Sequence, residues 1–209
     1  MSIEGSAIEG REAHTIARAA PPLIGPHAVI HLAAAINDRL SPLKAHAIFV
    51  GARMNDVPSG ETMIPETDAL RLHRCLALHE PIECFAIVRD AAERTAAYII
   101  ANRIPPAAIR LLAVMPRALS GALLMRAIRR HAWTFIGAGD FRPMGAWAFE
   151  IDRRAAHNAV ALPDCLFHWY AKVFEDLYQR LVPGKSACMI ERSSSTIPGY
   201  RKFRIARSD

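Results

Sequence analysis

Two histidines of this chain stand beside tryptophan. His131 opens His131-Ala132-Trp133, and His168 precedes Trp169-Tyr170. A neutral imidazole against flat aromatic surface suits ligation of a metal at a tetrapyrrole centre. The same pairing also describes a packed, hydrogen-bonded histidine, and the sequence leaves both readings open. His27 and His31 lie four apart on one helix face. That spacing can hold a metal, but surface or interface histidines share it, and no partner glutamate completes a zinc motif. The four cysteines, at 75, 84, 165 and 188, form no C-x-x-C unit. Neither a zinc site, an iron–sulfur cluster nor a thioredoxin-like centre is indicated. They read as reduced, small core residues, and no metal is assigned.

Gly137-Ala138-Gly139 lacks the third glycine of a dinucleotide fingerprint and leads into Phe141-Arg142-Pro143 rather than a helix N-terminus. It reads as a turn that uses glycine for positive φ. Ser193-Ser194-Ser195 has no base near it in sequence and reads as a polar turn. Asp164 reads as a first-turn helix acid favoured by the dipole. No catalytic residue is assigned.

The elements that must position these groups change character along the chain. Residues 1–25 are expected to be a flexible tail, broken by glycine and proline, and 26–207 a single domain. Helices are predicted from His27, from Pro42 with Ser41 as N-cap, over Pro65–Glu80, over Ile82–Asn102, from Pro105-Pro106 to Val114, and from Pro116 to Arg130. Strands are predicted over Ala132–Ala138 and Met144–Ile151, where aromatic and branched residues gather. Residues 152–162 read as a loop. A long helix then starts at Pro163, with Leu166, Trp169, Tyr170, Val173, Phe174, Leu177 and Leu181 as its apolar stripe. Ala187–Glu191 and Tyr200–Ala206 read as a final strand pair. Helices first, then an antiparallel sheet with one long helix packed on it, define an α+β fold.

All three tryptophans, three of the four tyrosines and six of the eight phenylalanines lie between Trp133 and Phe203. Aromatics there suit a dense core or a pocket for a flat ligand. The candidate lining is Trp133, Phe135, Trp147, Phe167, His168, Trp169 and Tyr170, with Arg142 near the mouth. Net charge is +6 and favours anionic partners, but no nucleic-acid recognition motif is present. No segment has the uninterrupted apolar length of a transmembrane span, and no secretory signal is visible. A cytoplasmic, or membrane-peripheral, location is expected.

Residues 118–207 resemble the 4-vinyl-reductase-type domain. The carriers are Arg130-His131-Ala132-Trp133 before a glycine turn, Leu162-Pro163-Asp164-Cys165 opening a helix, Trp169-Tyr170 within it, and Phe203-Arg204-Ile205 in the last strand. Many members carry a cysteine pair around the last hairpin; residues 190–203 here hold none. The resemblance implies a fold related to subunits of vesicle-tethering complexes, which hold an apolar ligand and dimerise, so a homodimer is expected. It also implies a place in bacteriochlorophyll synthesis, and aromatics beside a basic surface suit an accessory role there, holding a flat macrocycle that bears carboxylates. The ligand would be a porphyrin or chlorin intermediate, magnesium-protoporphyrin or divinyl protochlorophyllide, with no cofactor bound permanently. The implied partners are the large subunit of magnesium chelatase and the magnesium-protoporphyrin methyltransferase. The alternatives are a vinyl reductase acting on divinyl (proto)chlorophyllide, and a scaffold that binds no pigment. A reductase needs an electron or hydride donor, and neither a nucleotide fingerprint nor a cluster-binding cysteine set is visible to hold one.

Overall fold

The computed structural model describes residues 22–154 and 162–207. Residues 1–21 of the expected tail and most of the expected 152–162 loop lie outside the described residues. The helical part comprises α1 (His27–Arg39), α2 (Pro42–Gly51), α3 (Glu66–His79), α4 (Cys84–Asn102), α5 (Pro106–Val114) and α6 (Arg117–His131). Proline marks two of these starts at the first helical position: Pro42 and Pro106, whose missing N–H costs nothing there. Ser41 occupies the N-cap of α2 without a side-chain capping bond. A short ribbon, β1 (Leu23–Ile24) with β2 (Ile64–Pro65), ties the start of the described chain to α3. The sequence expectation of a tail up to residue 25 did not include this pairing.

The second part is a four-stranded antiparallel sheet in the order β3 (Asp140–Pro143), β4 (Ala148–Asp152), β6 (Tyr200–Arg207), β5 (Ser186–Ile190). The long helix α8 (Asp164–Leu181) lies between this sheet and α4, which in turn packs on α1. Phe149 and Phe203 are register partners on β4 and β6, and their rings stack 4.6 Å apart. Phe174 of α8 stacks on Phe149 at 4.0 Å, so one aromatic column joins helix to sheet. The structure confirms the α+β class.

Three local expectations are corrected. Ala132–Ala138 is not a strand: after α6 the chain makes a short helix, α7 (Trp133–Ile136). Ala132 keeps right-handed helical angles, and Thr134 Oγ1 donates to His131 O at 2.8 Å, so the helical course continues until Gly137 ends it at φ 60°. Local context overrides the strand preference of Trp-Thr-Phe-Ile. The next strand starts at Ala148, not Met144, because residues 144–147 form the turn of the β3–β4 hairpin, with Gly145 at φ 107°. The serine run is the short helix α9 (Arg192–Ser195) rather than a plain turn.

Candidate functional site

A small cavity lies where α3, α7 and α8 meet beneath β1. Ile24, Ala28, Ala69, Leu70, Leu166 and Phe135 supply its apolar wall; Glu66, His73, Arg153, Trp169 and Tyr170 bring polar atoms to it. Its volume is about 20 Å³, room for a single water molecule or little more.

The polar side is organised around one guanidinium. Arg153 is 1 % exposed and forms a salt bridge with Glu66, which is 2 % exposed. Arg153 Nη1 also donates to Ile136 O and to the Tyr170 hydroxyl, both at 2.9 Å. The Tyr170 hydroxyl in turn donates a hydrogen bond to Phe135 O at 3.1 Å. The Glu66 carboxylate accepts the Ala138 amide at 2.9 Å. Thus α3, the α7 turn, the end of β4 and α8 are clamped at one point. Burial raises the Tyr170 pKa, with Arg153 opposing that shift. A glycine is required beside this clamp. A Cβ on Gly137 would stand 2.3 Å from Glu66 Cδ, so only a bare backbone admits the carboxylate.

His73 and Trp169 complete the wall, their rings edge to face with centroids 6.3 Å apart. His73 Nδ1 lies 4.0 Å from Cys165 Sγ, and that thiol is held well above its ordinary value by burial first. Trp169 Nε1 is buried with no hydrogen-bond partner among the described residues. An indole N–H so placed faces a desolvation cost unless water or a ligand reaches it.

Burial pushes the His73 imidazole down to about 3, far below its model-peptide value of 6.5. The folded chain therefore excludes a proton that the unfolded chain takes up below about pH 6.5. This contribution is complete above that value and is lost as pH falls toward the folded pKa. By about pH 5 the loss is about 2 kcal/mol. Urea denaturation at neutral pH and near pH 5 should show that difference, and His73→Gln should flatten this part of the slope. An unchanged slope in that variant would mean other groups set the acid sensitivity.

Of the eight side chains expected to line a pocket, Phe135, Trp169 and Tyr170 meet at this cavity. The other five lie elsewhere. Phe167 is buried under Arg201, whose guanidinium sits 4.6 Å above the ring. Trp147 is wedged against Gly121 on α6, with Tyr178 at its edge and Arg117 over its face at 4.6 Å. His168 is exposed and packs edge to face on Phe85 at 5.0 Å. Trp133 is 61 % exposed. Arg142 is exposed and pairs with Asp140 at 2.7 Å. His27 stacks on Tyr98 at 3.7 Å.

Sequence reasoning missed Glu66, His73 and Arg153. His73 had a readable signal: with Ala69, Leu72 and Leu76 it lies on the buried stripe of α3. Glu66 falls without distinction in the helix predicted over Pro65–Glu80, and Arg153 in the predicted 152–162 loop.

The helical layer and the four-stranded sheet together have the fold of the H-NOX proteins. The unliganded Fe(II) H-NOX protein from K. algicida superposes with a TM-score of 0.57, over 89 % of this chain and 97 % of that one, at 12 % identity. An H-NOX structure solved to probe the function of heme distortion gives 0.52, over 89 % and 96 %, at 10 % identity. No family model matches the chain. The bacteriochlorophyll synthase 23 kDa chain of Cereibacter sphaeroides is 37 % identical over 161 residues, 76 % of this chain and 78 % of that one. Its counterpart in Rhodobacter capsulatus is 32 % identical over 167 residues, 77 % and 76 % of the two chains. The chain belongs to the family of the bacteriochlorophyll synthase 23 kDa chain. This accords with the protein that its C-terminal motifs resemble, bacteriochlorophyll biosynthesis protein J.

Proposed function

We propose that this chain serves bacteriochlorophyll biosynthesis as an accessory protein that binds a porphyrin or chlorin intermediate and hands it between pathway enzymes. The observation that carries this reading is an aromatic-walled interior, Phe135, Trp169 and Tyr170, facing a buried guanidinium, Arg153, in a chain of this family. Aromatic faces hold a flat macrocycle, and the Arg153 guanidinium would take a propionate in exchange for the Glu66 carboxylate that it pairs with in the closed chain.

The described cavity as it stands is too small for a tetrapyrrole. Sites that enclose organic ligands have volumes of about 300 Å³ or more, against a cavity of about 20 Å³. On this reading the pigment is cargo, and its entry requires α8 and α7 to part from α1 and α3. His73 is the imidazole that such an opening exposes, and exposure removes the burial that holds its pKa down.

The experiment is an absorbance titration of the purified chain with magnesium-protoporphyrin and with divinyl protochlorophyllide, without reductant. A saturable Soret shift at a one-to-one ratio is expected. Trp169→Ala should weaken binding up to about tenfold through lost ring contact. His168→Ala should leave the shift unchanged, since His168 lies away from the cavity. No shift with either pigment would remove the carrier reading.

The closed cavity favours one second reading, a scaffold whose aromatics are only core. It predicts capture of the magnesium chelatase large subunit or the methyltransferase without pigment. The carrier requires that pigment strengthen that capture. Product formation with NADPH or reduced ferredoxin would instead establish the vinyl reductase.

A further inference from the structure

Between Glu93 and Asp140 the chain contains no acidic residue, while arginine occurs at 94, 103, 110, 117, 126, 129 and 130. This stretch includes all of α5 and α6. Arg117 is committed to Pro183 O, the Ser186 hydroxyl and the Trp147 ring. Arg110, Arg126, Arg129 and Arg130 are exposed, and among the described residues no carboxylate pairs with them.

The outer face of α6 divides along its axis. Ser120, Gly121, Leu124, Met125 and Ile128 form the buried stripe. Opposite them, Leu119, Ala122 and Leu123 occupy the first turns in solvent, and Arg126, Arg129 and Arg130 the last. A surface helix of a water-soluble protein ordinarily puts polar residues throughout that face. At the α5–α6 corner Leu111 is 50 % and Val114 81 % exposed. Trp133 follows α6 at its basic end. An apolar tip, a belt of unpaired arginines and an interfacial tryptophan are the parts of a helix pair that lies in a bilayer surface. No single helix of the described residues is long and apolar enough to cross one.

We propose that the α5–α6 corner docks on an anionic lipid surface. Val114, Leu119 and Leu123 enter the acyl boundary, and Arg126, Arg129 and Arg130 meet lipid phosphates. The absence of any carboxylate on this stretch selects an anionic bilayer over a neutral one. An acidic protein surface is the competing occupant.

The test is co-sedimentation of the full chain with vesicles of phosphatidylcholine alone and of phosphatidylcholine mixed with phosphatidylglycerol. Binding is expected only to the mixed vesicles, falling with added salt. Neutralising Arg126, Arg129 and Arg130 to glutamine should weaken it on the order of a hundredfold. Leu119→Ser with Leu123→Ser should weaken it while circular dichroism stays unchanged, since both side chains face solvent. Trp133 emission should move to shorter wavelength on binding, a change absent in Trp133→Phe. No binding to mixed vesicles, or equal binding by the glutamine variant, overturns the proposal. So does capture of an acidic protein that the glutamine substitutions abolish in a chain that ignores vesicles.

Discussion

Replacing Arg153 by methionine is expected to lower the stability of the folded chain by about 3–5 kcal/mol, read as a fall in the urea midpoint at unchanged slope. Arg153 is 1 % exposed and Glu66 2 %, so the substitution leaves a carboxylate in a nearly dry interior without this counter-charge. It also removes the donor to Ile136 O and to the Tyr170 hydroxyl. The decisive comparison is the double variant. Glu66→Gln keeps an oxygen for the Ala138 amide, bonded at 2.9 Å in the native chain, but removes the charge. Combined with Arg153→Met it should regain most of the loss, because a buried pair replaced on both sides is nearly neutral whereas a pair broken on one side is not. If the double variant is as unstable as the sum of the singles, the pair is not coupled and the clamp is misread. The same singles bear on function. Arg153→Met should reduce pigment affinity beyond its effect on folding, provided binding is measured where the variant remains folded.

The sequence made the helical half legible because proline and apolar periodicity mark it so clearly. Pro42, Pro105-Pro106, Pro116 and Pro163 each fall at a helix start, and the stripe from Leu166 to Leu181 is the buried side of α8. The last two strands were legible by alternation: Arg201, Phe203 and Ile205 point inward on β6, and Lys202 and Arg204 do not. What failed was the stretch between α6 and β3. Trp-Thr-Phe-Ile has strand chemistry, yet it follows a helix with no breaker before Gly137, and the helical course runs on. The site was half legible for a related reason. Phe135, Trp169 and Tyr170 announce themselves as large aromatics. Glu66 and Arg153 become a pair only when α3 is folded against the end of β4, and nothing local to either residue encodes that meeting. Burial, which turns an ordinary glutamate and arginine into a site, is a property of the whole packing.

Gly137→Ala carries the second large effect, a loss of about 3 kcal/mol or more, from two separable causes. Gly137 has φ 60° and ψ −123°, a backbone conformation that a side chain strains by about 1–3 kcal/mol. Its added Cβ would also stand 2.3 Å from Glu66 Cδ and 2.4 Å from Oε2, displacing the carboxylate that holds Arg153 and the Ala138 amide. Adding Glu66→Ala removes the second cause and leaves the first. In that background Gly137→Ala should cost only the backbone strain, so the two substitutions should be strongly non-additive. Equal cost in both backgrounds would show that the turn is strained by its backbone alone and that the glycine has no part in the clamp. A non-additive result ties the turn to the ion pair. The carbonyls of Phe135 and Ile136, which receive Tyr170 and Arg153, would then be held in place by the glycine that lets Glu66 approach. On the carrier reading this turn is also where the cavity must open. Gly137→Ala, by loosening the carboxylate from Arg153, should then speed pigment entry in stopped-flow absorbance even as it lowers stability. A rate of entry unchanged in a folded variant would separate the clamp from the gate.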